Sequence, residues 1–172
     1  MRIACLGLGR MGWPIAGHLA NRDEEHDIVV FDVVEGLGAQ WTGEHRGETA
    51  DSVASAVDGA QYVLTSLPAD SELAAVAEEA LASVGQGTIW IDHSTTSASI
   101  ARQLGSEVLA AGGHFLDGPV SGGVDGARQG TLSVMVGGDE EAFAAAEPLI
   151  EAYASRVRHM GPVGAGQLTK MT

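Results

Sequence analysis

The run Arg2-Ile3-Ala4-Cys5-Leu6-Gly7-Leu8-Gly9-Arg10-Met11-Gly12 constrains this chain more than any other segment. A short apolar stretch enters a G-x-G-x-x-G turn. A helical pattern follows, with Trp13, Ile15, Ala16, Leu19 and Ala20 at its apolar positions. A second apolar stretch, Ile28-Val29-Val30-Phe31, then ends at Asp32, 20 residues beyond Gly12. Strand, glycine turn, helix, strand and acid in this order form a βαβ unit suited to a dinucleotide. Gly7 permits the tight turn, Gly9 lets the backbone approach a pyrophosphate, and Gly12 lets the helix pack close to the strand. The helix N-terminus would offer unpaired N–H groups to the phosphates. Asp32 would accept both hydroxyls of the adenosine ribose.

A chain of 172 residues that is 45% apolar can bury the core of one domain. No apolar run approaches the roughly 18 residues of a membrane span. The first strand starts at once, leaving no room for a signal peptide, and the single cysteine, Cys5, lies inside that strand without an internal disulfide partner. A cytoplasmic setting is expected. The net charge of −14 argues against nucleic-acid or anionic-membrane partners. A solvated acidic surface accounts for it, and a salt-adapted source is the sharper alternative. His93, His114 and His159 stand near strands without ligand partners at metal-binding spacing, so no metal site is expected.

Strand and helix patterns alternate along the chain. Strands are predicted over 2–6, 27–31, 62–66, 88–92, 114–117, 132–136 and 157–159, and helices over 71–84, 97–111 and 140–154. A short helix is predicted over 49–57, with Thr49 or Asp51 as N-cap. This pattern predicts an α/β fold, a doubly wound, mostly parallel sheet in three layers. Ligands in such folds gather at the carboxyl ends of the strands. Those tips carry the glycine turn, Asp32, Leu67-Pro68, Asp92-His93-Ser94-Thr95 and Asp117-Gly118-Pro119-Val120-Ser121-Gly122-Gly123, so one crevice lined by all of them is expected.

These tips together resemble the β-hydroxyacid dehydrogenase family, whose fold is of the Rossmann type. Gly7-Leu8-Gly9-Arg10-Met11-Gly12-Trp13-Pro14-Ile15-Ala16 is similar to its cofactor motif, and Asp92-His93-Ser94-Thr95-Thr96 to its D-x-S-T loop. The block from Asp117 through Gly123, continuing to Gly137-Gly138, resembles its substrate-binding segment. Gly161-Pro162-Val163-Gly164-Ala165-Gly166-Gln167-Leu168-Thr169-Lys170 resembles the approach to its catalytic lysine. The likeness covers essentially the whole chain. Members of the family continue into an all-helical domain of about another hundred residues or more, the customary domain size being about 100–150. Here the sequence stops at Thr172. The resemblance therefore implies a dinucleotide-binding domain over 1–162, with 163–172 as the start of a cut interdomain helix and the helical domain absent.

The resemblance implies hydride transfer between NAD and a short β-hydroxy acid such as 3-hydroxyisobutyrate, or its semialdehyde. Asp32 favours NAD, because a 2′-phosphate beside it would meet like charge. Val33-Val34-Glu35 follow where NADP users of the family carry an arginine. Lys170 is the implied general acid/base: a protonated lysine can donate to a nascent alkoxide, and acting as base requires a depressed pKa. Ser121, Gly122 and Gly123 would receive the substrate carboxylate through a hydroxyl and successive backbone N–H groups. Thr95 would meet the nicotinamide-side ribose or the substrate edge, or cap the helix after it. Leu67 and Pro68 would shape the cofactor groove; Leu8 and Met11 belong to the glycine turn; Arg10 would pair with the pyrophosphate or lie in solvent. His93 fills the variable position of the D-x-S-T loop and is given no catalytic role. A homo-oligomer is expected at full length. A non-catalytic NAD(H)-binding module is the alternative function. An imine-reducing enzyme is a third reading, which Lys170 opposes.

Overall fold

In the computed structural model, which describes residues 1–172, β1 (Arg2–Leu6) runs through the glycine turn into α1 (Gly12–Arg22) and β2 (Asp27–Phe31). Next come α2 (Leu37–Glu44), the two-residue β3 (Glu48–Thr49), α3 (Val53–Val57), β4 (Tyr62–Thr65), α4 (Asp70–Ala80), β5 (Ile89–Asp92), α5 (Ala98–Ala110) and β6 (His114–Asp117). The chain finishes with β7 (Val120–Ser121), α6 (Gly123–Gln129), β8 (Leu132–Gly137), α7 (Glu140–Ile150), β9 (Ala154–Gly161) and α8 (Ala165–Met171).

The nine strands form one sheet. Its order is β3-β2-β1-β4-β5-β6-β8-β7, with β9 paired to β8. From β3 to β6 every pairing is parallel; β8 runs antiparallel to β6 and β7 and parallel to β9. The first six strands follow the doubly wound order, and the direction of winding reverses between β1 and β4.

Side-chain alternation builds the three layers. Ile3 and Cys5 of β1, Ile28 and Val30 of β2, Leu64 of β4, Ile89 and Ile91 of β5 and Leu116 of β6 face one way. They pack on Ile15 and Leu19 of α1, Trp41 of α2, and Leu149 and Ile150 of α7. Ala4, Leu6, Val29, Val63, Trp90 and Phe115 face the other way, onto Val53 and Val57 of α3, Leu73 of α4, and Leu104 and Val108 of α5. A strand apolar at every position suits only a sheet covered on both faces, which explains the continuous apolar runs. Each fully buried Leu or Ile contributes about 1.5–3 kcal/mol.

The elements differ from the sequence expectation at three places. The helix expected over 49–57 is only Val53–Val57; its N-cap is Ser52, whose hydroxyl accepts Ser55 N at 3.1 Å. Thr49 instead pairs with Val30 in β3, because the open edge of β2 recruits it. The helix expected through residue 154 ends at Ile150, and Ala154 starts β9 opposite Leu132. β7, α2 and α6 escape the sequence reading: β7 has two residues, α2 buries only Gly38 and Trp41, and α6 only Gly126 and Ala127. So few buried positions leave no readable period.

Candidate cofactor and substrate site

The turn after β1 is built by backbone contact. Gly7 N donates to Phe31 O at 2.9 Å, which ties the tips of β1 and β2. A Cβ on Gly12 would fall inside the van der Waals envelope of Gly7 O, so α1 starts against bare backbone. A Cβ on Gly9 would meet nothing within 4 Å. Packing therefore requires a glycine at Gly12, while the space above Gly9 stays open for a ligand. No side chain caps α1, whereas Ser52, Ser97 and Asp139 cap α3, α5 and α7. Within the first turn Trp13 N donates to Gly9 O at 3.0 Å and Pro14 has no N–H, so the Gly12 N–H is the helix donor left for a pyrophosphate beside that open space.

Asp32 closes the other side of the turn. Its Oδ2 accepts Leu8 N at 2.7 Å and its Oδ1 accepts Val34 N at 2.8 Å. These bonds fix the carboxylate and leave further lone pairs for ribose hydroxyls. Arg10 lies exposed at the rim. These features fit a dinucleotide.

A cleft of about 470 Å³ opens beside the turn. It brings together Met11, Leu67, Pro68, Thr95, Ser121, Gly122, Gly123 and Lys170 from five separate segments, together with Ser66, His93, Ser94 and Val120. Gly7 and Gly12 line a smaller adjoining recess. The cleft thus gathers the loops after β1, β4 and β5, the segment from β7 into α6, and α8, but Asp32 at the tip of β2, expected in the same crevice, does not line it. Thr95 is exposed and does not cap α5; Ser97 does so, accepting Ile100 N at 3.2 Å. Gly122 and Gly123 both take positive φ, +128° and +63°, a conformation L side chains rarely adopt, and with Ser121 they stand exposed. Lys170, the only lysine of the chain, is half-buried and its Nζ donates to Val120 O, next to Ser121.

Behind the cleft lies polar machinery whose partners the sequence reading did not identify. His93 is buried; its Nδ1 donates to Gly118 O at 2.6 Å and its Nε2 accepts the Tyr153 hydroxyl at 2.6 Å. A carbonyl can only accept, so this bond sets the tautomer. Burial lowers the His93 pKa to about 4, against the opposing hydrogen bond to Gly118. The imidazole is therefore a neutral tie between the D-x-S-T loop and the β6–β7 loop. Ser94 Oγ accepts Leu67 N at 2.9 Å and links the tips of β4 and β5.

Asp92 is fully buried. Its Oδ1 accepts the Thr65 hydroxyl at 2.7 Å and Ser94 N at 3.1 Å, while Oδ2 has no protein partner. Burial raises its pKa from 3.8 to about 6, with nearby Asp117 adding to the rise and the Ser94 and Thr65 hydrogen bonds opposing it. Because the folded-state value lies above the unfolded one, stability is fully present below the unfolded pKa and is lost as pH rises through about 6. Asp92→Asn keeps the Oδ1 acceptor and removes the charge. Its stability relative to the parent is expected to rise by on the order of 2–3 kcal/mol between pH 4 and pH 7. Urea unfolding at the two pH values checks this; a difference independent of pH refutes it.

A parallel sheet in the doubly wound order, an uncapped helix over an open glycine and a fixed acid at the end of β2 define a dinucleotide-binding domain. The chain belongs to the family described as the NAD binding domain of 6-phosphogluconate dehydrogenase, which residues 2–161 match. NAD is the cofactor that membership assigns. Among curated proteins, the chain is 40% identical over 173 residues to an uncharacterized oxidoreductase of Shewanella frigidimarina, covering 99% of this chain and 59% of that protein. It is 39% identical over 172 residues to the 3-hydroxyisobutyrate dehydrogenase of Pseudomonas aeruginosa, covering 98% and 57%. Among solved structures, Mycobacterium tuberculosis 3-hydroxyisobutyrate dehydrogenase with L-serine superposes with a TM-score of 0.91 at 37% identity, again covering 98% and 57%. The chain therefore spans less than three fifths of these relatives. No helix is long and apolar enough to cross a membrane.

Proposed function

We propose that this chain is the cofactor-binding part of an NAD-dependent dehydrogenase acting on a short β-hydroxy acid or its semialdehyde, with Lys170 as general acid/base. The observation that carries this reading is the placement of the chain's one lysine in the same cleft as Ser121, Gly122 and Gly123, beside the dinucleotide turn. A pure nucleotide binder needs neither the lysine nor the second anion receptor. Similarity to 3-hydroxyisobutyrate dehydrogenases supports the substrate class, as does the L-serine in the M. tuberculosis structure, itself a β-hydroxy acid.

Gly9, the first turn of α1 and Asp32 would hold the pyrophosphate and adenosine ribose, while Leu67, Pro68 and Thr95 would border the remaining groove. When bound, the nicotinamide supplies the hydride acceptor or donor. Ser121 Oγ and the N–H groups of Gly122 and Gly123 receive the substrate carboxylate, which places the β-carbon hydroxyl toward Lys170. Lys170 takes the hydroxyl proton in oxidation and returns it in reduction. The neutral amine that takes the proton has a lone pair and two N–H donors, and the ammonium that returns it has three donors, so Nζ can keep its bond to Val120 O and serve the substrate in either direction.

Two measurements test the reading. Calorimetric titration should give NAD binding at least about tenfold tighter than NADP, because the 2′-phosphate meets Asp32. Equal or tighter NADP binding overturns that preference. NADH formation by the intact gene product across a panel of short β-hydroxy acids tests the activity. NAD binding without turnover of any of them leaves the nucleotide-binding module as the function.

A further inference from the structure

α8 is the element that carries Lys170, and a buried polar clamp joins its start to the sheet. Asp117, at the tip of β6, is fully buried and uses both carboxylate oxygens: Oδ1 accepts Gly164 N at 2.7 Å and Oδ2 accepts Gln167 N at 2.9 Å. Gln167 is also fully buried; its Nε2 donates to Ser94 O at 2.7 Å and its Oε1 accepts Thr96 N at 3.2 Å. Between them, a Cβ on Gly166 would sit 2.6 Å from Asp117 O and closer still to Met135 O, so the helix backbone rests directly on β6 and β8. Gln167 lies three residues before Lys170, on the adjoining face of the same helix.

The remaining buried contacts of α8 are few: only Gly166 and Gln167 of the helix are buried, while Leu168 and Met171 are exposed. Over Ala165–Met171 the clamp is the buried attachment of α8 to the sheet. It also spans two loops of the cleft, because Gln167 holds the D-x-S-T loop and Asp117 leads into the Ser121-Gly122-Gly123 segment. Every polar side-chain atom of both residues has a hydrogen-bond partner inside the protein, and neither lines the cleft.

We infer that Asp117 and Gln167 are positioning residues that lock α8 in register with the β5 and β6 tips and so fix where Lys170 Nζ stands relative to the substrate pocket. This deepens the function proposed above and rests on Lys170 as the acid/base. Lys170 is the only lysine among residues 1–172, and in the intact gene product labelled with 13C-lysine its side-chain signals are assigned by their loss in Lys170→Arg. In the parent, the two Lys170 Hε protons are expected at distinct shifts with nuclear Overhauser contacts to Val120 and Ser121. Gln167→Leu removes both side-chain hydrogen bonds at near-constant volume, and the Hε signals should merge and lose those contacts. In the intact gene product, kcat should fall about 10- to 100-fold while KM and NAD affinity stay within about twofold. Gln167→Glu keeps the acceptor for Thr96 N and should recover part of both signatures. If Gln167→Leu does not fold, Gln167→Glu carries the same comparison at smaller amplitude. Parent-like lysine signals in a folded Gln167 variant overturn the clamp. Merged signals with unchanged kcat uphold the clamp and overturn Lys170 as acid/base, and an inactive parent fails the dehydrogenase reading alone.

Discussion

Lys170→Ala is expected to lower dehydrogenase turnover by a factor of about 10² to 10⁴ while leaving NAD affinity within about twofold. The size follows from the chemistry: without a proton acceptor, the hydroxyl proton must leave to water as hydride is lost. The selectivity follows from geometry. Lys170 bonds Val120 O in the cleft, next to the proposed carboxylate receptor, whereas the proposed nucleotide contacts, Gly9, Asp32 and the start of α1, lie apart from it. The loss should lie in kcat rather than KM, because the proton is shared only in the transition state. Steady-state kinetics on the intact gene product, with calorimetry for NAD, measures both quantities. Turnover within tenfold of the parent would remove Lys170 from the chemistry.

The second large effect separates two glycines of one motif. A methyl group on Gly12 collides with Gly7 O, backbone against backbone, so Gly12→Ala must push α1 off β1. We expect a loss of about 3 kcal/mol, equivalent to a fall of about 6–12 °C in the unfolding midpoint. Gly9→Ala meets open space and should leave the midpoint unchanged within about 1–2 °C, since the surface substitution is nearly neutral. It should still weaken NAD binding about tenfold, or about 1.4 kcal/mol, because the methyl occupies the pyrophosphate approach. Thermal unfolding with calorimetry on both variants decides the matter. Equal destabilisation by the two would contradict the division of labour. Full NAD affinity in Gly9→Ala would place the pyrophosphate elsewhere.

The glycine turn, β1, α1, β2 and Asp32 were legible in sequence because their contacts are made within one local unit: Gly7 meets Phe31, and Leu8 meets Asp32. The strands of the parallel sheet were legible because burial on both faces leaves them uniformly apolar. The cleft residues could be anticipated as strand-tip chemistry, but their meeting depended on sheet order. Thr49 and Ala154 were misplaced because edge pairing with β2 and β8 overrode helical patterning. The role of His93 is not legible in sequence, since its partner Tyr153 lies 60 residues away.

Taken alone, the sequence determined the alternation of the main strands and helices, the two-faced sheet, the nucleotide turn and the set of residues at the strand tips. Those features depend on local backbone geometry and on periodic burial, which residue type and spacing encode directly. Only the tertiary structure decided that Asp117 and Gln167 hold α8, that His93 is a neutral tie, and that Asp92 bears an unpaired buried oxygen. The clamp bonds join residues 47 to 73 positions apart. A buried polar side chain is defined by what the fold places opposite it, and spacing along the chain does not carry that information.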